Sequence, residues 1–330
     1  MGDKVLSIVV PAYNMEKYLK RCLDSMMLDA ILDKIEVLVI NDGSTDKTSE
    51  IAGEYCKRYP ETFFLYEKDN GGHGSGINYG IRYATGRYFK VVDGDDWLNE
   101  EELPDFVRQL ERVDVDVVAS DFLCIQDETG EILSKRYCTS NPSQYGTCCS
   151  MKKGEVKNVI KMHALTIKTE ILKNNNIRVD EHSFYVDAQY ITYPMPYVDS
   201  VYFYQRFLYM YRLGRNGQSM DIRSMQKRRN QHMNVLNRML EYYKNVGDIS
   251  PENKKYMERC IGQMVESQFQ IYISMGLCKG IYTELKQWDE RLKQEYPEIY
   301  SAVEKKSISM LRKTGYRILP VGALVYKIIK

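Results

Sequence analysis

The chain has 330 residues, enough for one large domain with an added region or for two domains. Its 46 Lys and Arg residues balance 45 Asp and Glu residues, and this net charge of +1 argues against a protein that binds nucleic acid. Its eight dispersed cysteines form no C-x-x-C pair, and the sequence has neither a secretory signal nor an apolar run of about 18 residues. We therefore expect a cytoplasmic protein with reduced thiols, without a zinc knuckle and without a membrane-spanning helix.

Short apolar runs alternate with helical periodicities over the first hundred residues. Continuous apolar runs predict buried strands at residues 5–10, 35–40, 63–66 and 88–92. Apolar residues at helical spacing predict helices at 15–26 and 75–84, and Asn14 stands at the N-cap position of the first helix. This order predicts an α/β fold with a Rossmann-like, mostly parallel sheet and helices on both faces.

The pattern changes beyond residue 100. Further strands are predicted at residues 115–119, 163–167 and 201–211, with a hairpin formed by 122–125 and 132–137. From about residue 222 the sequence is helical, with a nearly continuous apolar face between Met257 and Met275. We therefore predict a domain at 1–221, with halves 1–100 and 101–221, and a helical C-terminal appendage at 222–330.

Polar, Gly-rich or acidic loops follow the first four predicted strands. These loops are Pro11-Ala12-Tyr13-Asn14, Asn41-Asp42-Gly43-Ser44-Thr45-Asp46, Lys68-Asp69-Asn70-Gly71-Gly72-His73-Gly74 and Asp93-Gly94-Asp95-Asp96-Trp97. In a parallel α/β sheet, ligands bind at the carboxyl ends of the strands. The four loops are therefore expected to form the functional site.

The fourth loop predicts a metal site. Asp93 and Asp95 flank Gly94 directly after a strand, and two carboxylates on a tight turn can converge on a hard divalent cation. The loop has too few oxygens for a complete cage, which favours Mg²⁺ or Mn²⁺ bridging a diphosphate ligand. The alternative is an Asx turn that caps the next helix at Asn99.

The first two loops predict a site for a nucleotide base. The Asp42 carboxylate can accept the ring N–H of a uracil, and Tyr13 offers a stacking face. In the alternative interpretation the second loop caps the following helix through Ser44, Thr45 or Asp46. The Gly cluster after the third strand lacks the Lys-Ser/Thr of a P-loop and the G-x-G-x-x-G register, which argues against NTP hydrolysis and dinucleotide binding.

Four motifs, taken in order, resemble the family 2 glycosyltransferases, which are inverting enzymes of the GT-A fold that use nucleotide sugars. The motifs are Val9-Val10-Pro11-Ala12-Tyr13-Asn14, Asn41-Asp42-Gly43-Ser44-Thr45-Asp46, Asn70-Gly71-Gly72 with Asn78-x-Gly80, and Asp93-Gly94-Asp95-Asp96. Each motif is weak alone, but their order and spacing are specific. The resemblance covers about residues 5–220 and implies a UDP-sugar donor with Mn²⁺ or Mg²⁺ as the metal.

The resemblance also implies roles for individual residues. Asp95 is the implied principal metal ligand, with Asp93 contacting the sugar, the ribose or the metal. Asp187 is the implied catalytic base, because Val179-Asp180-Glu181 and Tyr185-Val186-Asp187 resemble the acidic segment of the family's acceptor half. The implied donor-binding residues are Pro11, Tyr13, Asn14, Asp42, Asn70, Gly72, Asn78, Asp93 and Asp95. The residues implied near the acceptor or the diphosphate are Asp96, Trp97, His182 and Arg215.

Two positions depart from the family pattern. Val186 precedes Asp187 where the family has Glu, which removes a charge but keeps the base. Ile77 stands where the family often has Arg, which removes a cation near the diphosphate. The candidate substitutes are Lys68, Arg82 and Arg215. Of the histidines, His73 can contact a phosphate or be a plain loop residue, and His163 is predicted to be structural.

Basic and apolar residues interleave at 305–330, a pattern typical of an element at a membrane surface. The alternative is a final helix docked on its own domain. Membrane contact would suit a saccharide or lipid-linked saccharide acceptor in capsule or cell-surface polysaccharide synthesis. The protein would then be cytoplasmic or peripheral at the inner face of the membrane.

The favoured function is an inverting transfer of a sugar from a UDP-sugar to an acceptor hydroxyl. One alternative is a sugar nucleotidyltransferase, which would need a basic Gly-rich loop after the first strand in place of Pro11-Ala12-Tyr13-Asn14. The other is a nucleotide-sugar-binding or scaffold protein that has lost catalysis. The carboxylates at positions 93, 95 and 187 argue against this loss, whereas Ile77 is compatible with it.

Overall fold

The computed structural model describes residues 4–215, 222–276, 278–303, 305–322 and 324. The chain forms two compact units, residues 1–216 and 217–330, of which the first is α/β and the second helical. The predicted domain boundary between residues 221 and 222 borders a stretch outside the described residues and stays a prediction.

One ten-stranded sheet forms the centre of the first unit. Its strands are β1 (Leu6–Ala12), β2 (Ile35–Asn41), β3 (Phe63–Glu67), β4 (Tyr88–Val91), β5 (Trp97–Leu98), β6 (Val117–Gln126), β7 (Ile132–Arg136), β8 (Cys148–Ser150), β9 (Leu165–Lys168) and β10 (Ser200–Leu213). Their order across the sheet is β3-β2-β1-β4-β9-β6-β10-β5, with β7 beside β6 and β8 beside β10.

The sheet combines a parallel half with a mixed half. β3, β2, β1 and β4 are parallel neighbours, as their continuous apolar runs predict. β9 lies antiparallel between β4 and β6, and β5, β7 and β8 also pair antiparallel with their neighbours. The predicted α/β fold is confirmed, and β6 and β10 are also parallel neighbours, so that antiparallel pairing in the sheet involves β5, β7, β8 and β9.

The helices of the first unit are α1 (Leu19–Asp24), α2 (Thr48–Arg58), α3 (His73–Tyr83), α4 (Leu103–Arg112), α5 (Thr169–Asn174) and α6 (Asp187–Tyr190). Short 3₁₀ turns occur at Pro142–Gln144, Met162–Ala164 and Met195–Tyr197. Glycine allows α3 to pack closely on β1, since a Cβ on Gly76 would lie 2.8 Å from the Cβ of Pro11. This packing places the start of α3 at the carboxyl end of the strand.

Two local predictions were wrong. Asn14 does not cap α1, which starts at Leu19 and has Tyr18 at its N-cap position. Asn14 has a φ of 53°, and its side chain accepts the N–H of Thr45 at 2.9 Å. Asn tolerates this left-handed conformation, which lets the chain turn sharply after β1. His163 lies in the 3₁₀ turn before β9 and not at the start of a strand.

The second unit consists of α7 (Ile222–Lys227), α8 (Arg229–Asn245), α9 (Pro251–Ser274), α10 (Ile281–Glu295), α11 (Pro297–Ser301) and α12 (Lys306–Lys313). The apolar face predicted for α9 is buried, with Ile261, Val265 and Phe269 each 0% exposed. Among the described residues, no helix combines the length and apolar character needed to cross a bilayer.

Candidate active site

The loops after β1, β2 and β3 are joined by hydrogen bonds at the carboxyl ends of the strands. The Asn14 N–H donates to the Ser44 hydroxyl oxygen at 3.0 Å, and the Asn14 side chain accepts the Thr45 N–H. The Asn70 amide donates to the Asp42 carbonyl at 2.9 Å. The three loops therefore form one continuous surface at the edge where a parallel sheet binds ligands.

Asp42 fixes the Gly-rich loop through its buried carboxylate. Its Oδ1 accepts hydrogen bonds from the Gly71 N–H at 2.9 Å and the Ser75 hydroxyl at 3.0 Å, and its Oδ2 accepts the Gly72 N–H at 2.7 Å. Lys68 pairs with Oδ1 at 2.6 Å in a largely buried ion pair. The carboxylate thus shapes the loop that carries the predicted donor residues Asn70 and Gly72, and its contact with a uracil ring stays a prediction.

Tyr13 presents its ring to solvent at the same edge. The residue is 47% exposed, although it directly follows the buried strand β1. Its neighbour Pro11 is buried against α3. An exposed aromatic ring at a ligand-binding edge can stack on a nucleobase. Tyr13 is therefore accessible for its predicted role, which remains untested along with that of Pro11.

Asp96 anchors the acidic loop to β10. Its carboxylate accepts the Tyr209 hydroxyl at 2.6 Å and the Arg212 N–H at 2.7 Å, and the residue is 1% exposed. The Tyr209 oxygen in turn accepts the Asp93 N–H at 3.2 Å. Burial, together with the charges of Asp95 and Asp93, raises the pKa of Asp96. These contacts occupy both Asp96 oxygens and disfavour the predicted contact of Asp96 with an acceptor or diphosphate.

Asp95 is paired with a cation that follows β10. The Arg215 guanidinium forms an ion pair with Asp95 Oδ2, and Arg212 Nε donates to the Asp95 carbonyl at 2.6 Å. The Arg212 guanidinium also lies over the Trp97 ring, 4.7 Å from its centroid. Burial and the charge of Asp93 raise the pKa of Asp95, and Arg215 opposes this shift. The loop therefore gathers three carboxyl groups, of which Asp95 is paired with Arg215.

Arg215 is the best placed of the three candidate substitutes for the missing Arg. Ile77 is fully buried and occupies no ligand-accessible position. Lys68 is engaged with Asp42, and Arg82 lies over the ring of Tyr83 near the end of α3. Arg215 alone of these cations pairs with the acidic loop in the part of the chain that the structure describes.

The acidic loop and the turn before β9 can supply metal ligands. Among the described residues, Asp93, Asp96 and His163 have ligand atoms within 4.8 Å of one another. The His163 Nδ1 is buried and has no hydrogen-bond partner in the described structure, and desolvation lowers the pKa of His163 to about 4. A neutral, unpartnered imidazole beside carboxylates fits a divalent cation. Asp93 belongs both to this cluster and to the predicted pair with Asp95.

A buried lysine lies beside this cluster. Lys90 is 0% exposed, and its ammonium donates to the carbonyls of His163 at 2.8 Å and Leu165 at 3.3 Å. It lies 5.4 Å from the ring centroid of Tyr209, and burial lowers the pKa of Lys90 to about 7. Sequence analysis missed Lys90. The available signal was a lysine inside the otherwise apolar run at 88–92.

Asn78 on α3 holds the segment that leads to the predicted base. Its amide oxygen accepts the Val179 N–H at 3.0 Å, and its amide nitrogen donates to the Val179 carbonyl at 2.9 Å. A Cβ on Gly74 would overlap the Asp180 carbonyl, so glycine is required for this close approach. The exposed residue His182 donates its N–H to a carbonyl of the Gly-rich loop at 2.5 Å. The donor contact of Asn78 and the acceptor contact of His182 stay predictions.

This segment brings Asp187 into the electrostatic environment of His73 and the acidic loop. Asp187 is the first residue of α6 and is accessible to solvent. Desolvation by the surrounding protein raises the pKa of Asp187, whereas the charges of His73 and Lys161 oppose the shift. Sequence analysis could not separate this position from others in the acceptor half without the family resemblance.

His73 connects the predicted base to the acidic loop. Its Nε2 lies 2.7 Å from Asp93 Oδ1. Desolvation opposes protonation, but the charges of Asp93, Asp187 and Asp95 together raise the pKa of His73 above its usual value. Sequence analysis left the role of His73 open, and the structure shows it in contact with the Asp93 carboxylate of the acidic loop.

Comparison with known sequences finds a match to this part of the chain. Residues 7–168 match the family model described as "Glycosyl transferase family 2". The minor teichoic acid biosynthesis protein GgaB of Bacillus subtilis is 32% identical over 167 residues, which cover 46% of this chain and 19% of that protein. The chain thus spans only about a fifth of the length of this relative.

Solved structures share the fold. TarS 1–349 of S. aureus in complex with UDP-GlcNAc matches with a TM-score of 0.64 at 19% identity, covering 97% of this chain and 88% of that chain. The mannosyltransferase PcManGT of Pyrobaculum calidifontis in complex with GDP-Man and Mn²⁺ matches with a TM-score of 0.52 at 14% identity, covering 98% and 86%. The predicted GT-A fold with a helical C-terminal region is therefore confirmed.

Proposed function

Residues 7–168 of this chain belong to glycosyl transferase family 2, and we propose that the chain is an inverting glycosyltransferase that moves a sugar from a UDP-sugar to an acceptor hydroxyl. One observation carries the proposal: Asp187 and the acidic loop at 93–96 act on the same histidine, His73, at the ligand-binding edge of the sheet. A single in-line displacement requires a base and a site for the leaving diphosphate within one active site.

In the proposed reaction, Asp187 takes the proton of the acceptor hydroxyl. The hydroxyl oxygen attacks the anomeric carbon of the donor while the bond from that carbon to the diphosphate oxygen breaks. The raised pKa of Asp187 increases its strength as a base, and its accessibility lets an acceptor reach it. His73 orients Asp93 through their hydrogen bond.

The leaving diphosphate requires positive charge at the acidic loop. When a divalent cation is bound by Asp93 and Asp95, it supplies Lewis-acid stabilisation of that charge. Arg215 pairs with Asp95 and is the cation that we assign to the diphosphate in place of the family's Arg at position 77. Asp96 holds the loop in place through Tyr209 and does not contact the donor in this proposal.

The donor base is proposed to stack on Tyr13. The exposed ring supports this assignment, and TarS binds UDP-GlcNAc on a similar fold. PcManGT binds GDP-Man with Mn²⁺, so the fold itself accommodates either base. We choose uracil because Tyr13 and Asp42 follow the neighbouring strands β1 and β2, and a comparison of UDP with GDP tests this choice.

The acceptor is proposed to be a cell-surface polymer. GgaB is a teichoic acid biosynthesis protein by its name, and its matched region covers 46% of this chain. We therefore assign this chain to the synthesis of a teichoic-acid-like or capsular polysaccharide, with a saccharide or a lipid-linked saccharide as acceptor.

Turnover of donor sugars by the full chain tests the proposal. UDP-GlcNAc, UDP-glucose and UDP-galactose are incubated with the protein and Mn²⁺, and release of UDP is measured with and without saccharide acceptors. We expect one donor to be consumed by the wild type and by the exposed control Asp199→Asn, but not by Asp187→Asn. Turnover by Asp187→Asn would exclude the assigned base. Nucleotide binding without turnover of any donor would support the binding-protein alternative.

A further inference from the structure

The C-terminal unit carries an apolar groove that the proposed transfer reaction does not use. The groove has a volume of about 560 Å³ and lies between α9, α12 and the turn that follows α12. Its apolar lining includes Phe269, Ile273, Ile308, Leu311, Ile318 and Val321. Grooves of this size can hold part of a small molecule or of a lipid chain.

Buried polar contacts fix the wall of the groove that α12 provides. The Arg312 guanidinium donates to both oxygens of Asp289 at 2.9 and 2.8 Å, and Asp289 is 0% exposed. The Tyr316 hydroxyl donates to the same carboxylate at 2.5 Å, and Leu319 is fully buried. The segment from α12 to residue 322 is therefore docked on its own unit, and the groove is part of the folded structure.

The segment at 305–322, which forms one wall of the groove, exposes both apolar side chains and cations. Met310 is 56% exposed, Val321 59% and Leu324 51%. The exposed cations of this segment are Lys305, Lys306, Lys313 and Arg317. Residues 305–330 contain seven Lys and Arg residues and no Asp or Glu. This wall is therefore apolar towards the groove and exposes only basic charge, and we call its four exposed cations the basic rim.

We propose that this groove and its basic rim form the docking surface for an anionic phospholipid membrane. Acyl chains occupy the groove, and the four rim cations contact headgroup phosphates. Exposed apolar side chains beside clustered cations bind bilayers through combined burial and electrostatic attraction to anionic lipid. The groove is also lined by Glu266 of α9, but the exposed charged residues of the wall at 305–322 are all basic, which favours an anionic occupant over a neutral one. The surface shares no residue with the donor site, so this proposal and the proposed function fail independently.

Vesicle cosedimentation of the full chain tests the surface. We expect binding to vesicles of phosphatidylcholine with 30% phosphatidylglycerol, little binding to phosphatidylcholine alone, and release at 0.5 M NaCl. The partition coefficient of the triple variant Met310→Ser, Val321→Ser, Leu324→Ser should be at least about 10-fold lower, because three exposed apolar side chains are removed. The control triple Ile132→Ser, Leu133→Ser, Tyr137→Ser changes residues of similar exposure in the first unit and should stay within about twofold.

A second pair of variants tests how much the basic charge contributes to vesicle binding. Replacing Lys305, Lys306, Lys313 and Arg317 with Gln should lower the partition coefficient by about 100-fold or more, since each membrane-apposed cation contributes about fivefold. Replacing the exposed residues Lys57, Lys153, Lys157 and Lys244 with Gln changes the net charge equally and should have much less effect. UDP affinity, measured in parallel, should be unchanged in all four variants.

Four results would overturn the proposal. The first is equal binding to vesicles with and without anionic lipid, and the second is equal loss in the test and control variants. The third is self-association of the wild type that the Met310, Val321 and Leu324 triple abolishes, which would assign the groove to a second copy of the chain. The fourth is stronger vesicle binding after truncation at Leu324, which would assign it to residues 325–330.

Discussion

Removal of one hydroxyl, in Tyr209→Phe, should destabilise the acidic loop. The Tyr209 hydroxyl donates to the buried Asp96 carboxylate at 2.6 Å and accepts the Asp93 N–H at 3.2 Å. Phenylalanine fits the same space, so the change removes hydrogen bonds without creating a large cavity. The variant therefore isolates the contribution of this hydroxyl to the acidic loop.

The expected loss follows from the burial of the acceptor. Asp96 is 1% exposed, so water cannot replace the lost donor. A hydrogen bond to a charged group contributes about 1.5–3 kcal/mol, and an unsatisfied buried group costs a similar amount. We expect the free energy of unfolding to fall by about 2–3 kcal/mol. Affinity for Mn²⁺ should fall by about 10-fold, because Tyr209 would support the metal-binding loop from behind.

A second buried tyrosine provides a matched control. Tyr190 is also 0% exposed, but its hydroxyl has no hydrogen-bond partner among the described residues. Tyr190→Phe should therefore leave stability unchanged or raise it slightly. Urea unfolding is followed by the fluorescence of Trp97 in a Trp288→Phe background, since the chain contains two tryptophans. Equal changes in unfolding free energy for Tyr209→Phe and Tyr190→Phe would refute the reasoning.

Three further predictions concern charge, pH and backbone packing. Arg215→Gln should raise the affinity for Mn²⁺ alone severalfold, by removing the cation paired with Asp95, yet weaken UDP binding with Mn²⁺; calorimetry showing neither change would contradict the assignment. Burial lowers the pKa of His232 to about 4, against about 6.5 in the unfolded chain. As the pH falls, the unfolded chain therefore takes up this proton before the folded chain does. The wild type should lose about 3 kcal/mol of unfolding free energy between pH 6.5 and 4. His232→Gln should lack this loss when urea unfolding is measured at both pH values. If its unfolding free energy falls as much as that of the wild type, the loss does not come from His232. Gly74→Ala should abolish transfer and lower the melting temperature, whereas Gly53→Ala, with open space at its Cβ position, should stabilise the chain by up to about 1 kcal/mol; equal melting temperatures would count against the close approach at Gly74.

Much of the first half of the fold could be predicted because it is encoded locally. The continuous apolar runs of β1 to β4 follow from burial on both faces, and each strand occurs within two residues of its predicted bounds. The polar loops after these strands were expected at one edge for the same reason. The positions in the sheet of the strands after residue 100 were harder to predict. β9, for example, lies between β4 and β6, which are both far from β9 in sequence.

The supports of the candidate site could not be predicted from local pattern. Asp96 and Tyr209 are 113 residues apart, and Asn78 holds Val179 across 101 residues. The spacing of residues along the chain does not predict such contacts, because they depend on the topology of the sheet. The left-handed conformation of Asn14 likewise depends on its partner in the second loop and not on the helix that the sequence suggested it would cap.

Calorimetric binding of UDP and GDP, each with and without Mn²⁺, tests the central claim most directly. The claim is that this chain uses a UDP-sugar and a divalent cation at Asp95. We predict that UDP binds more tightly than GDP, that Mn²⁺ strengthens its binding by at least about 10-fold, and that Asp95→Ala removes this gain. The exposed control Asp29→Ala should bind UDP like the wild type. UDP binding that is independent of Mn²⁺, or unchanged in Asp95→Ala, would contradict the account.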